Sequence, residues 1–339
     1  MRRLPVYFLL DVSDSMVGDP IEELDRGMRL VIQELQVDPY ALETAFVSVI
    51  AFAGKVKCLL PLTELTQFRI PKLGIGSGTS LGGALNFLVS ELDRSIVTTT
   101  REVKGDWKPI IFLFTDGVPT DDVTGAIKKW NSTWGKKSNL VAVSFGNSAD
   151  VQLLGRLTSN VLRLSTVDQA SFRDFFKWVS ASIKTSSVSV TEYSSDELRL
   201  PPTSGINLEK VNPNKAQKVD ENYAILSARC STTKEMYLIK YARQAAGDMY
   251  GLVGAYKIDE NMYASLSDAS GTERTIDSTY LYGQPNCPCC GTRYSMTRCG
   301  ACGKVSCFNQ QEEVSACPWC GTKAKMHLVD KIEYSRQKG

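Results

Sequence analysis

Two groups of residues in this chain are spaced for metal chemistry, one built from oxygen and one from sulfur. The oxygen group begins with Asp11-Val-Ser13-Asp14-Ser15, directly after the apolar run Val6-Tyr7-Phe8-Leu9-Leu10. A short, continuous apolar run rich in β-formers predicts a strand covered on both faces, with Asp11 emerging at its carboxyl end. A second run of this kind, Ile110 to Phe114, ends in Thr115-Asp116-Gly117. Between them lies the glycine-rich loop Gly74-Ile-Gly76-Ser-Gly78-Thr79-Ser80, which supplies further hydroxyls. In open α/β sheets ligands bind outside the carboxyl ends of the strands, so these segments can deliver oxygens to one crevice. One or two carboxylates with hydroxyls and waters suit an octahedral Mg²⁺. Capping of a turn by Asp11 and Ser13 is the simpler alternative, but it accounts for neither Thr79 nor Asp116.

The sulfur group lies near the carboxyl end. Eight of the chain's 10 cysteines fall between Cys287 and Cys320, as Cys287-Pro-Cys289-Cys290-Gly, Cys299-Gly-Ala-Cys302-Gly, Cys307 and Cys317-Pro-Trp-Cys320-Gly. Three C-x-x-C-Gly knuckles point to tetrahedral zinc, because each turns two thiolates toward one ion and the glycine permits a positive φ. Eight thiolates suffice for two Zn²⁺ ions. The expected pairing joins Cys287 and Cys290 to Cys317 and Cys320 as a ribbon, leaving Cys289, Cys299, Cys302 and Cys307 for the second ion. Cys58 and Cys230, remote in sequence, are expected to be small buried hydrophobes. His327, the chain's one histidine, is expected to be a solvated surface residue, with replacement of one thiolate as its alternative role. A thioredoxin-like redox site needs one C-x-x-C rather than three, and disulfides need an oxidising compartment.

The elements that must hold the oxygen site alternate between strand and helix. Pro20 can open a helix in which Ile21, Leu24, Met28, Val31, Ile32 and Leu35 share a face. Residues 43–53 read as a strand, linked by Gly54-Lys55 to an antiparallel strand through Val56, Cys58 and Leu60. A helix from Leu81, the strand ending at Asp116, a helix over 121–134, strands at 140–145 and 161–164, and a helix over 170–183 follow. This pattern predicts an α/β fold with a doubly wound, mostly parallel sheet carrying one antiparallel edge strand. Residues 184–200 are Ser/Thr-rich and read as a linker, with Thr185 to Thr191, Ser194 and Ser195 as candidate phosphosites. The expected division is 1–185 for the α/β domain, 186–280 for a linker and small β-rich region, and 281–339 for a zinc-ribbon-like module.

Bulk composition excludes several functions. With 39 Lys+Arg against 37 Asp+Glu, the net charge of +2 offers no field for nucleic acid. A single histidine argues against a His-based hydrolase. Asp11 and Asp14 interrupt the apolar start before a signal-peptide core could form, so a cytoplasmic location is expected. The glycine loop lacks the lysine of a phosphate-binding loop, and Ser13 stands where a haloacid dehalogenase-type phosphatase needs its second Asp.

Asp11, Ser13, Ser15, Thr79 and Asp116 together match the metal-ion-dependent adhesion site of von Willebrand factor A domains, D-x-S-x-S followed by Thr and Asp. The first 185 residues or so resemble that family. The resemblance implies that Ser13, Ser15 and Thr79 meet the ion directly or nearly so, that Asp11 and Asp116 act partly through water, and that one position stays open, which in the family a partner's Asp or Glu commonly fills. Such a domain joined to an eight-cysteine module resembles the TerY-type proteins of bacterial tellurite-resistance and stress-response systems. That resemblance implies a non-catalytic scaffold working with a Ser/Thr protein kinase and a PP2C-type phosphatase. The ion is expected to be Mg²⁺, with Mn²⁺ or Ca²⁺ as alternatives. A metal-dependent phosphohydrolase using the ion as Lewis acid, and a thiolate binder of tellurite, are the competing functions.

Overall fold

Period-2 alternation decides how the first sheet is covered. In β1 (Leu4–Asp11) Leu4, Val6, Phe8 and Leu10 enter one buried cluster, while Tyr7 and Leu9 enter another on the opposite face. The computed structural model describes residues 2–146, 149–164, 168–192, 200–203, 206–211, 222–244, 247–268, 274–308, 314–325, 327 and 331–337. Alongside β1 stand β2 (Ala45–Phe52), β3 (Val56–Glu64), β4 (Ile110–Thr115), β5 (Asn139–Phe145), β6 (Val161–Leu164) and β7 (Leu208–Lys210). They form one seven-stranded sheet in the order β3-β2-β1-β4-β5-β6-β7. β1, β2, β4, β5 and β6 are parallel, β3 is the antiparallel edge expected from the Gly54-Lys55 turn, and β7 adds antiparallel to β6 at the other edge. Strand order reverses at β1, which lies between β2 and β4, so the crevice falls where Asp11 and Asp116 emerge.

Helices cover both faces. The helices α1 (Asp19–Gln36), α2 (Pro39–Thr44) and α6 (Gln169–Glu192) take one side, and α3 (Leu81–Ser95), α4 (Thr124–Thr133) and the short α5 (Val151–Gly155) the other. Under α6 the rings of Phe172, Phe175 and Phe176 interlock with Phe114 and Phe145, with Phe175 set edge-on to Phe114 at 5.4 Å. Gly27 is where α1 admits Phe176, since a Cβ there would lie 1.9 Å from the ring. Gly27→Ala therefore lowers the denaturant midpoint. Overpacking of about 1–3 kcal/mol outweighs the gain in helix propensity of about 1 kcal/mol.

Two sequence expectations change here. Thr185 to Thr191 is not linker but the last turns of α6, and Ser186 and Ser187 are buried, with Ser186 Oγ donating to the Ser182 carbonyl at 2.8 Å. Serine is tolerated there because its hydroxyl bonds back to the preceding turn. Ser194 and Ser195 lie outside the described residues.

The second change concerns the boundary at 280/281. The strands β8 (Tyr223–Arg229), β9 (Met236–Arg243) and β10 (Tyr250–Lys257) are followed by α7 (Glu260–Leu266), β11 (Arg274–Asp277), β12 (Leu281–Tyr282), β13 (Thr297–Arg298), β14 (Val305–Ser306), β15 (Ser315–Ala316), β16 (Lys323–Ala324) and β17 (Glu333–Arg336). One six-stranded sheet runs β12-β10-β9-β8-β14-β13, so the β-rich region and the cysteine region are one unit. β14 pairs parallel to β8, and β17 returns to pair with β11. β9 alternates between two cores. Tyr237, Ile239 and Tyr241 pack with Cys230, Cys287 and Cys307, whereas Met236 and Leu238 join the buried cluster of the first domain, as do Ile225, Tyr263 and Leu266. The two halves thus share a hydrophobic core.

Candidate metal centres

The tips of β1 and β4 and the glycine loop do converge. Ser13 N donates to Asp11 Oδ1 at 2.9 Å, the Ser13 and Ser15 hydroxyls lie 3.0 Å apart, and Ser15 Oγ donates to Asp116 Oδ1 at 2.7 Å. Gly76 N donates to the Val12 carbonyl at 2.9 Å, docking the glycine loop on the β1 tip. Thr79 Oγ1 is buried without a hydrogen-bond partner among the described residues. A Cβ on Gly117 would come within 3.5 Å of that hydroxyl and 3.8 Å of Asp11 Oδ2, so glycine keeps the space open.

This donor set fits a hard divalent cation. Burial, and then the charge of Asp116, push the Asp11 carboxyl well above the usual carboxylate range, although hydroxyls from Thr115 and Ser13 oppose the shift. Burial raises Asp116 likewise. Two carboxylates and an orphaned hydroxyl confined in one dry place are unfavourable alone, and a dication would compensate all three.

Residues outside the motif hold it in shape, and sequence spacing did not single them out. Thr115 Oγ1 donates to Asp11 Oδ2 at 2.6 Å. Thr120 Oγ1 accepts from Thr79 N at 2.9 Å. Asp121, expected to open α4, instead caps α3: its carboxylate accepts from Ser80 Oγ at 2.7 Å and from the Gly82 and Gly83 amides at 3.1 and 2.9 Å. α4 begins later, with Asp122 accepting from Thr124 N at 2.9 Å.

The second unit covers the site. Asp11 and Ser13 are 0% exposed and Asp116 5%, so the constellation does not face open solvent. Ser77 N donates to Ser267 Oγ at 2.8 Å and Lys55 N to the Leu266 carbonyl at 2.8 Å. Asp14 is fully buried against this cover, and burial pushes its carboxyl up to about 7 despite the nearby hydroxyls of Ser77 and Tyr263. Lys240 of β9 is also buried and donates from Nζ to the Ser15 carbonyl at 2.5 Å and the Val17 carbonyl at 3.2 Å, with Nζ 4.5 Å from the Tyr223 ring centroid. Burial lowers its pKa, and the charges of Asp116 and Asp19 pull it back.

The sulfur ligands group differently from the expected pairing. One quartet is Cys230, Cys287, Cys290 and Cys307; the other is Cys299, Cys302, Cys317 and Cys320, each with all sulfurs within 4.8 Å of one another. Sulfur pairs lie 3.7 Å apart for Cys290–Cys307 and Cys230–Cys307, and 3.8 Å for Cys299–Cys320 and Cys302–Cys317. A tetrahedron with Zn–S bonds of about 2.3 Å has edges of about 3.8 Å, so both quartets have zinc dimensions. Cys289 and the exposed His327 belong to neither quartet, and Cys58 lies on β3, half-buried.

Cys230 is the candidate ligand that sequence spacing does not reveal, and the reason is local. In each knuckle the first cysteine's amide donates to a carbonyl five residues on, and its carbonyl accepts from the glycine amide: Cys287 N to Thr292 O and Gly291 N to Cys287 O are both 2.8 Å. Cys230 N donates to Glu235 O at 2.9 Å and Lys234 N to Cys230 O at 3.1 Å, which is the same turn. Thr233 takes the place of the second cysteine, and Lys234 adopts the positive φ of 63° that glycine takes elsewhere. The missing thiolate arrives from Cys307, whose amide donates to the Arg229 carbonyl at 3.2 Å beside the β8–β14 pairing. The sequence Cys230-Ser-Thr-Thr-Lys234 carried a faint signal, a knuckle with one ligand and no glycine.

Comparison with known proteins places both halves of the chain. The family model of the von Willebrand factor type A domain matches residues 6–178, and that of the TerY-C metal binding domain matches residues 220–339. Human inter-alpha-trypsin inhibitor heavy chain H6 is 27% identical over 159 residues, 45% of this chain and 12% of the human protein. The match therefore spans a small part of that relative. Proximal thread matrix protein 1 of the mussel byssus covers 54% of this chain and 48% of its own at 16% identity and a TM-score of 0.40. The ArnB paralog VWA2 of Sulfolobus acidocaldarius covers 79% and 70% at 12% identity and a TM-score of 0.39. The chain belongs to the von Willebrand factor type A family and joins that domain to a TerY-C metal-binding domain.

Proposed function

We propose that this protein is a non-catalytic, metal-dependent interaction scaffold. The observation that carries the reading is the convergence of Asp11, Ser13, Ser15, Thr79 and Asp116 around the orphaned Thr79 hydroxyl. Bound there, Mg²⁺ or a similar ion would supply a Lewis-acidic site whose remaining position takes an Asp or Glu of a partner protein. Ser15 and Thr115 hold the two carboxylates in place, and Asp121 fixes the loop that presents Thr79. Asp14, the one carboxylate of the motif outside the ligand set, is buried beside Ser77 and Tyr263 of the loop and the cover, which disfavours it as a general base for the ion.

The two thiolate quartets hold structural Zn²⁺ in this reading. Full coordination by four sulfurs leaves no position for a substrate, which also disfavours direct binding of tellurite. Within a bacterial tellurite-resistance or stress-response system the partners would be a Ser/Thr kinase and a PP2C-type phosphatase in the cytoplasm. No helix among the described residues is long and apolar enough to cross a membrane.

Affinity capture of partners from the native cell tests the reading. Recovery of a partner should fall at least tenfold in EDTA and with Asp11→Ala, and return for the wild type when Mg²⁺ is restored. Undiminished capture under both conditions would sink the proposal. Turnover of a generic phosphoester that is lost in Asp116→Ala would instead favour a hydrolase.

A further inference from the structure

Alternation along β9 places Lys240 where an apolar residue belongs. Met236 and Leu238, on the same face, are buried in the core shared with the first domain. Lys240 nevertheless points into that interface at 3% exposure, and its ammonium is held by the carbonyls of Ser15 and Val17. Ser15 is also the residue whose hydroxyl bonds Asp116. A buried cation is expensive unless an anion compensates it, and the nearby anions are Asp116 of the oxygen site and Asp19.

The cover around it is closely fitted. A Cβ on Gly76 would meet Leu266 at 2.5 Å, and one on Gly54 would meet the Asp268 backbone at 2.4 Å. A Cβ on Gly18, whose φ is +88°, would meet the Tyr256 ring at 2.6 Å. Gly76 of the metal-site loop, Gly18 after the β1 tip and Gly54 in the β2–β3 turn are thus points of close approach between the two units. A partner's carboxylate cannot reach the site while this contact stands.

We propose that the β8–β10 face is an intramolecular cover of the oxygen site, in which the Lys240 ammonium and a divalent ion are alternative counter-charges for Asp116. The inference rests on the ion site described above. Filling the site places a dication beside the ammonium, weakens the Lys240 contact and releases the cover, which exposes the open coordination position to an acidic partner. Because linkage is reciprocal, Lys240 must in turn weaken ion binding.

Mn²⁺ titration of the full chain, read by electron paramagnetic resonance, tests this. Lys240→Met should bind Mn²⁺ about tenfold more tightly than the wild type, and Lys240→Arg, which keeps the charge, should not. Equal or weaker binding by a folded Lys240→Met chain overturns the proposal. Amide hydrogen exchange on the wild type serves if that variant fails to fold. Saturating Mn²⁺ should speed exchange in 236–241 and 265–268, and unchanged or slower exchange there refutes the release. If neither the wild type nor Lys240→Met shows Mn²⁺ binding that Asp116→Ala removes, the ion site itself is wrong. That outcome is distinct from a site that binds but ignores Lys240.

Discussion

Cys230→Ser is expected to release one of two zinc ions per chain and to unfold the C-terminal unit, although Cys230 stands outside every C-x-x-C pair. Its quartet lies at the centre of that unit: Cys230, Cys287 and Cys307 are buried in one cluster with Tyr237, Tyr241 and Ile276. The Cys307 sulfur also accepts hydrogen bonds from Ser231 N at 3.1 Å and is 3.2 Å from Ser231 Oγ, so the ion would lock the β8–β9 turn to β14. Apparent binding free energies of structural zinc are about 10–16 kcal/mol, as large as the whole stability of an ordinary domain. The outer quartet, by contrast, is half-exposed or exposed. Cys320→Ser should therefore also lose one ion but leave the six-stranded sheet folded, and Cys289→Ser should keep both. Zinc content by mass spectrometry with near-ultraviolet circular dichroism separates these outcomes. Two ions retained in Cys230→Ser would refute the assignment.

Asp116→Ala should abolish binding of Mg²⁺ or Mn²⁺ at the oxygen site, with a loss of affinity of at least a hundredfold by calorimetry. The substitution removes one of two carboxylates and leaves Ser15 Oγ without its acceptor. The pH dependence has a definite sign. Asp11, Asp14 and Asp116 all have folded-state pKa values raised by burial above the unfolded range, with Asp14 at about 7. The folded state then holds more protons than the unfolded one, so stability of the metal-free chain falls as pH rises from about 4 to 7. Saturating Mg²⁺ should flatten that decline by compensating Asp11 and Asp116. A melting temperature that rises over this pH range without metal would contradict the burial of the three carboxylates.

Much of the oxygen site was legible because its chemistry is local in kind if not in position. Apolar runs at 6–10 and 110–114 could only be covered strands, and parallel strands in a doubly wound sheet deliver their carboxyl ends to one edge. The pattern alone therefore brings Asp11 and Asp116 to one edge of the sheet. The knuckles were legible for a similar reason, since a C-x-x-C-Gly turn is closed by its own backbone and needs no tertiary partner. Gly291, Gly303 and Gly321 do take positive φ, of 77°, 74° and 77°.

What the sequence determined by itself, then, was how each short segment turns and where the strand tips and three of the four cysteine turns lie, because strand burial and knuckle geometry depend on neighbours within a few residues. Tertiary structure decided how those pieces are shared. Cys230 and Cys307 meet because β14 pairs with β8 across 77 positions, as the contact between their sulfurs records, and no spacing rule reaches that far. The same holds for the cover. Lys240 meets the Ser15 carbonyl across 225 positions, at an interface formed only once both sheets exist. Ligand identity is a property of side chains, whereas ligand grouping and access follow from packing, which depends on the whole chain.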